Sequence, residues 1–461
     1  MKLYDTNSRS IREFVPLKKN EVGMYLCGAT VQGSPHIGHI RSSMVFDVLR
    51  RYFEFKNYKV ILVRNVTDID DKIIHNAGHE DITWWELAAR FEKEFTWAHE
   101  VLGNLTPTIE PRATGHITQM LEMIKTLIEK NHAYEAQGSV WFAVRSFADY
   151  GKLSGQKIDE MLTAQDPENG KKDPHDFALW KASKDGEPFW NSPWGKGRPG
   201  WHIECSAMAK AYLGENFDIH GGGLDLQFPH HENEVAQSKA AGNKFANYWL
   251  HNYWVTQSGE KMSKSLGNTM KVSEILSRFR AIDVRFYLLS AHYRSNLEFS
   301  DQAISDSGTA FSRIEQFVIR ANEKVGEREL EITLPQEFEE ALSEDLATPA
   351  AFAIIHEYVT KGNTYLTNND KNLAKILQQV RSMLTLLGLD PLGKQWQNKS
   401  SSQSLNALDS LIQSMLKQRN EARANKNFPV ADSIRDALSE ANIEIEDTAA
   451  GSRWSIKKES N

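Results

Sequence analysis

Apolar residues first gather at Glu21–Cys27 (EVGMYLC), a pattern that predicts a short strand running into Gly28. After a stretch containing Gly, Ser and Pro, the segment Ile37–Phe55 carries Val45, Phe46, Leu49, Tyr52 and Phe53 at helical spacing. Tyr58–Val66 (YKVILVRNV) is almost continuously apolar or β-branched, as a strand buried on both faces must be. Strand, helix and buried strand make a βαβ unit, and that unit predicts a parallel sheet.

Helical periodicity returns at Trp84–Leu102 and Thr118–Lys130. Ala133–Val144 reads as a hairpin, followed by Pro- and Gly-rich irregular sequence up to Gly200. The α/β pattern resumes with a helix at His202–Leu213, a strand at Phe217–His220, the Gly221–Gly223 loop, a helix from His230 to Ala241 and a strand at Trp249–Thr256. Beyond about residue 270 strand signals stop. Segments near 272–293, 300–324, 348–367 and 371–387 are helical, so an all-α domain is expected. Asn398–Ser404 is a polar linker by composition, followed by helices near 405–425 and 429–441 and strand-like alternation over Ile443–Ile456. The expected fold is a Rossmann-like α/β sheet domain with an inserted region at 115–200, then a helical bundle, then a small mixed C-terminal unit.

Composition adds little to this. The 461 residues are enough for about three domains. No apolar run approaches the roughly 20 residues of a membrane span, and Met1–Phe14 lacks the apolar core of a signal peptide. A cytoplasmic protein with no membrane association is expected. The net charge of −7 decides nothing about nucleic acid, because binding needs only a local basic face. There are two cysteines, Cys27 and Cys205, too few for a disulfide framework. They are either buried small hydrophobes or chemistry.

Two short motifs carry that chemistry. His36-Ile37-Gly38-His39 opens a helix just past a strand, where backbone N–H groups and the helix dipole favour phosphate. Gly38 leaves room for a close-lying nucleotide. Taken alone, the tetrapeptide also fits two surface histidines or a pair of metal ligands. Lys261-Met262-Ser263-Lys264-Ser265 lies in a loop-like stretch between a strand and a helix, where two cations suit a leaving pyrophosphate. Any isolated Lys-x-x-Lys would equally fit a solvated basic loop. Together, in this order at opposite ends of one α/β domain, the motifs resemble those of class I aminoacyl-tRNA synthetases.

The cysteines narrow the resemblance. Cys205 lies in Gly200–Cys205 (GWHIEC), while His230 and Glu234 stand four apart and share a helix face. Two thiolates, an imidazole and a carboxylate make a sensible zinc set, although Cys27 is remote in sequence. Cys27 ends the first strand, where ligands of doubly wound folds gather. Residues 24–39, 63–72, 197–208, 217–234 and 261–268 together resemble the cysteinyl-tRNA synthetase family, and the similarity runs over essentially the whole chain.

That resemblance implies one zinc ion held by Cys27, Cys205, His230 and Glu234, with the substrate L-cysteine recognised through its thiolate. It implies Mg-ATP bound and activated by His36, Gly38, His39, Lys261 and Lys264. It places Gly28, Thr30, Asn65, Thr67, Trp201, Gly223 and Asp225 at the aminoacyl-adenylate; His231 and Glu232 are expected to face elsewhere. It divides the chain into a catalytic domain (1–114 and 201–270), a connective insertion (115–200), a stem-contact region (271–310), an anticodon-binding bundle (311–397), and a linker with a small anticodon-recognition unit (398–461). One departure is Gln32-Gly33, where many family members have Tyr-Asp.

The expected acceptor is tRNA(Cys). Between Leu411 and Leu438 five cations (Lys417, Arg419, Arg423, Lys426, Arg435) face three anions, and Arg453, Lys457 and Lys458 flank Trp454 near the end. A basic face beside an aromatic suits unpaired bases. Two alternatives remain at this point: a cysteine ligase of the mycothiol-pathway type acting on an amino sugar, and a non-catalytic RNA-binding paralogue. The sequence does not fix the oligomeric state; a monomer is expected.

Overall fold

Four parallel strands form the central sheet: β1 (Glu21–Leu26), β2 (Lys59–Arg64), β3 (Asn216–Gly223) and β4 (Phe245–Asn252), in the order β4-β3-β1-β2. The computed structural model describes residues 1–160, 170–257, 259–261, 270–326, 328–396, 399–448 and 451–456. These form two compact units, residues 1–391 and 392–461. In β2, Val60, Leu62 and Val63 are buried, which is why this strand reads as an unbroken apolar run. Leu26 pairs with Arg64 on one side and with Gly221 on the other, so β1 ends level with β2 and within β3. Chain order reverses between β1 and β3, and the crevice at such a switch point is where α/β sheets bind ligands.

Helix α1 (Ile37–Phe55) connects β1 to β2 and is buried on most of its circumference, from Ile37 and Ile40 through Phe46 to Phe53. Helices α2 (Asp71–Glu80) and α3 (Trp84–Val101) follow β2. Asp70 caps α2 by accepting from the Lys72 amide, and Thr83 with Glu86 makes a capping box for α3.

The inserted region is more ordered than its composition predicts. After an amphipathic helix at Ile117–Glu129 come five antiparallel strands, Ala133–Ala136, Ser139–Phe142, Phe177–Ala182, Trp190–Ser192 and Gly195–Pro199. They pair with the last two exchanged in order. The strands after 144 escape the sequence reading because they are three to six residues long and mix Trp and Phe with Gly, Lys and Pro. An N-terminal hairpin, Lys2–Asp5 with Ser10–Glu13, was likewise not legible.

Helix α4 (Trp201–Leu213) leads into β3, and α5 (Glu232–Ala240) leads into β4. The helix expected from His230 begins two residues later. Gln227–His231 is a wider turn, and Phe228 at φ −139°, ψ 133° breaks the regular helix there.

Past residue 270 the chain is helical: Val272–Leu276, Ala281–Leu289, Asp301–Val325, Gln336–Ser343, Thr348–Asn368 and Leu373–Leu386. One exception is the two-residue strand Leu297–Glu298, which extends Val255–Gln257 in parallel. Phe286 packs on Phe311 and Phe352 to tie these helices together. Arg285 is fully buried, donating to Asp47 of α1, to Asn104 and to the carbonyls of Leu102 and Leu387. It thereby pins the helical part to α1.

The second unit consists of helices Lys399–Ala424 and Phe428–Glu440 and the hairpin Ile443–Thr448 with Gly451–Ile456. The stretch expected as a polar linker is therefore helical from Lys399. Apolar Leu408, Ile412, Met415 and Leu416 continue the same helix at regular spacing. Among the described residues, no helix is long and apolar enough to cross a membrane.

Candidate active site and metal centre

The Cys27 amide donates to the Gly221 carbonyl at 3.0 Å, which fixes this residue at the carboxyl edge of β1 beside β3. Cys205 lies one turn into α4, His230 in the wide turn, and Glu234 in the first turn of α5. Cys27 Sγ stands 3.8 Å from Cys205 Sγ and 3.4 Å from Glu234 Oε1, and His230 Nε2 stands 3.1 Å from the same oxygen. A tetrahedral ion with bonds of about 2.0–2.3 Å has donor–donor edges of about 3.3–3.8 Å. The 3.8 and 3.4 Å separations fall in that range, and the 3.1 Å one lies just below it. All four residues are buried, and their donor atoms lie within 4.8 Å of one another.

Electrostatics make this quartet a poor solution without a cation. Burial pushes both thiols and the Glu234 carboxyl up, and it pulls the His230 imidazole down. A divalent ion reverses that preference, because it binds thiolates, a carboxylate and a neutral imidazole. The donor set fits zinc.

Neighbouring histidines aim the donors. His202 Nδ1 lies 3.0 Å from His230 Nδ1, leaving His230 Nε2 directed at Glu234. His220 Nε2 lies 2.8 Å from Glu234 Oε2, so Oε1 is the oxygen turned toward Cys27 and His230. Such partners fix the orientation and basicity of metal-binding groups. The Trp201 ring stacks on His230 at 4.3 Å and 28°. Burial brings His220 and His251 down to about 3, so both are neutral over the working pH range.

One expectation is corrected here. Glu232 does face elsewhere, accepting from the amides of Gly151 and Ser154. His231 does not. It sits 4.8 Å, ring to ring, from His220, and Cys27, His220, His231 and Glu234 form a second quartet within 4.8 Å. The wide turn is the reason, since α-helical spacing does not apply before Glu232. His231 Nδ1 is held by His251 Nε2 at 2.8 Å, whose Nδ1 reaches Thr6 Oγ1 at 2.8 Å. The first quartet holds both thiols, the second only Cys27.

Above the donors opens a cavity of about 430 Å³. Cys27, Gly28, Thr30, Gln32, His36, Gly38, His39, Asn65, Trp201, Gly223 and Asp225 all line it. Thr67 does not. It is 1 % exposed and stands behind the wall, donating to Glu204. His36 occupies the cap position of α1, its amide donates to His39 Nδ1 at 3.3 Å, and the two rings stack at 3.6 Å. A Cβ on Gly38 would stand 3.1 Å from the His36 ring, tighter than ordinary contact. At Gly28 a Cβ would meet the Asn65 carbonyl at 1.7 Å, so only glycine fits.

The two expected ATP motifs converge at their flanks. Ile37 donates to Met270 and Val272 donates to Pro35, at 3.3 and 3.0 Å. Lys261 ends the short strand Glu260–Lys261, paired with Thr256; nothing is described of its side chain. Lys264 and the rest of Met262–Ser265 lie outside the described residues, as do Lys457 and Lys458. In the second unit Trp454 is committed to its own fold: it packs on the Ile412–Leu416 core and donates to Asp409 at 2.7 Å.

Sequence reasoning missed His202, His220, His251 and Glu204. A histidine inside the apolar strand FDIHGGG was the available signal, because a buried polar side chain needs a partner.

Comparison with known proteins identifies the family. Residues 13–309 match a family described as tRNA synthetases class I (C) catalytic domain, and residues 337–392 match the DALR domain. A cysteine--tRNA ligase of Streptomyces avermitilis is 53% identical over 461 residues, covering 99% of each chain. One from Streptomyces griseus subsp. griseus is 52% identical with the same coverage. Among solved structures, methionyl-tRNA synthetase of Mycobacterium tuberculosis bound by methionyl-adenylate aligns with TM-score 0.59 at 15% identity, over 81% of this chain and 92% of that one. A putative arginyl-tRNA synthetase from Campylobacter jejuni aligns with TM-score 0.51 at 16% identity, over 81% and 94%. At those identities the structures speak to the fold alone. With a catalytic-domain match over most of the chain, and full-length relatives at half identity, this chain belongs to the cysteine--tRNA ligase family of class I tRNA synthetases.

Proposed function

We propose that this protein charges tRNA(Cys) with L-cysteine in two steps, and that one zinc ion held by Cys27, Cys205, His230 and Glu234 selects the amino acid. The observation that carries the reading is the buried donor quartet, whose Cys27 lines a cavity also lined by His36 and His39. Zinc bound there supplies a soft Lewis acid that takes a thiolate in preference to a hydroxyl. A pocket discriminating by shape alone separates such near-isosteres by only about a hundredfold.

The chain's own groups do the rest. The start of α1, with His36 and His39, offers N–H groups and a dipole to the phosphates of Mg-ATP. The wall Gly28–Gln32, with Asn65 and Trp201, holds cysteine so that its carboxylate attacks the α-phosphorus. Pyrophosphate leaves, and the developing charge is met by Lys261 and Lys264, whose sequence neighbours Met270 and Val272 pair with Ile37 and Pro35. The terminal ribose hydroxyl of tRNA then attacks the carbonyl of cysteinyl-adenylate, and AMP departs. No side chain forms a covalent bond to substrate. Residues 392–461 form a separate unit, which favours tRNA over an amino-sugar acceptor.

Transfer of labelled cysteine to tRNA(Cys), compared with transfer to a glucosaminyl-inositol acceptor, tests the reading. Transfer to the tRNA alone supports it; transfer only to the sugar overturns it.

A further inference from the structure

Glu204 precedes Cys205 on α4 and is 1 % exposed, yet neither the metal quartet nor the cavity lining includes it. Its Oε2 accepts from Thr67 Oγ1 at 2.9 Å. Thr67 Oγ1 in turn accepts from Asn65 Nδ2 at 3.2 Å, and Asn65 Oδ1 accepts from the Gly28 amide at 2.8 Å. A hydroxyl has one proton, so a Thr67 that donates to Glu204 presents only lone pairs to Asn65. The Gly28 N–H can only donate, so it draws Asn65 Oδ1 to itself and turns Asn65 Nδ2 to Thr67. Glu204 supplies the acceptor that fixes the Thr67 hydroxyl at the far end of the relay.

The relay begins one residue from Cys205 and ends one residue from Cys27. It thus closes a ring through the two sulfur donors, which are 3.8 Å apart. Gly28 is pressed against Asn65 with no room for a side chain, so the orientation of Asn65 is felt directly by the cavity wall. The backbone here is pinned independently: Val31 donates to the Thr67 carbonyl and Thr67 donates to the Ala29 carbonyl, at 3.1 and 3.3 Å. Losing Glu204 should therefore leave the fold but free the Thr67 hydroxyl to rotate and loosen its hold on Asn65.

We infer that Glu204 is a positioning residue for amino-acid activation: through Thr67 and Asn65 it holds the Gly28–Gln32 wall in register with the donor quartet. The inference rests on the proposed cysteine-activation reading. It predicts a selective effect on the amino acid, because the ATP-side histidines on α1 receive no bond from the relay.

The test uses the full chain, loaded with zinc, in ATP–pyrophosphate exchange. Glu204→Gln keeps an acceptor oxygen for Thr67, whereas Glu204→Met keeps the length and loses the acceptor. Glu204→Met should raise KM for cysteine about tenfold or more, the scale of one lost buried hydrogen bond, with KM for ATP within about twofold. Bound zinc, measured separately, should stay near one per chain. Glu204→Gln should remain within about threefold of the unmodified protein, since an acceptor for Thr67 survives. Thr67→Val should reproduce the Glu204→Met loss, and the double variant should be no worse than either single one. If Glu204→Met does not fold, Thr67→Val and Asn65→Asp, which also break the relay, carry the same comparison. An equal loss in Glu204→Gln and Glu204→Met, or additive losses in the double variant, would overturn the inference. Normal cysteine kinetics in Glu204→Met would overturn it while leaving the proposed function intact. Absence of cysteine-dependent exchange in the unmodified protein would instead overturn the proposed function.

Discussion

Cys27 Sγ and Cys205 Sγ lie 3.8 Å apart across 178 residues of chain, one at the end of β1 and the other on α4. Burial disfavours both thiolates here, so the pair is stable as thiolates only with a cation between them. Cys205→Ser replaces a soft donor with a hydroxyl that does not ionise. Zinc affinity should fall by at least about a hundredfold, and cysteine-dependent exchange should fall with it. Competition against a chromogenic chelator measures the first and pyrophosphate exchange the second. A Cys205→Ser protein that is metal-depleted yet active at normal rate would refute zinc recognition.

His220 holds Glu234 by the oxygen that does not face the thiols. His220→Ala removes that hold while leaving all four donors of the first quartet in place. Zinc affinity should drop about 10- to 100-fold, as is usual when a ligand loses its outer partner. Unchanged chelator competition would show that Glu234 is oriented by other contacts.

His251 is brought down to about 3 by burial, against an ordinary value near 6.5. Its folded value lies below its unfolded one, so the unfolded chain binds the extra proton first and acid destabilises the fold. Glu204 and Glu234, raised by burial, act in the opposite sense and blunt the total pH profile. A difference experiment separates these effects. The unfolding free energy of the unmodified apoprotein minus that of His251→Asn should fall by about 2 kcal/mol between pH 6.5 and 5. Denaturant titration of the 1–391 unit measures it, and a difference constant with pH would contradict a buried neutral His251.

Arg285 joins α1 to the helical part through Asp47 and three further acceptors, all at a fully buried guanidinium. Burial pulls Arg285 down to about 10, still charged at neutral pH; burial also works to raise Asp47, but Arg51 and Arg285 outweigh it and hold Asp47 low. Arg285→Met should destabilise unit 1 by about 3–5 kcal/mol, because it leaves Asp47 buried with one cation fewer. Chemical denaturation is the check. A change below about 1 kcal/mol would mean that Arg51 alone satisfies Asp47.

Much of this was legible in the chain because it rests on unambiguous signals. Tyr58–Val66 is apolar on both faces, so no other element suits it, and it is the strand β2. Cys27, Cys205, His230 and Glu234 stood out through ligand chemistry, and the sheet brings them to one point. The insertion's strands were hidden by their length and by residues such as Gly197, Lys181 and Arg198, which pair in the sheet without being large and apolar. Thr67 is placed at the site by the family resemblance, whereas its hydroxyl turns away to Glu204. His231 was misread through helix periodicity applied to a turn that is not an α-helix. The histidine shell was missed because its members, Thr6, His202, His220 and His251, come from four distant segments.

Stoichiometric metal restoration bears most directly on how cysteine is chosen. Apoprotein prepared with a chelator is titrated with zinc, and cysteine-dependent pyrophosphate exchange is followed with cysteine and with serine as substrates. Activity with cysteine should rise linearly and stop at one zinc per chain, with serine inactive throughout. Full cysteine activity before any zinc is added would contradict selection by a metal-bound thiolate.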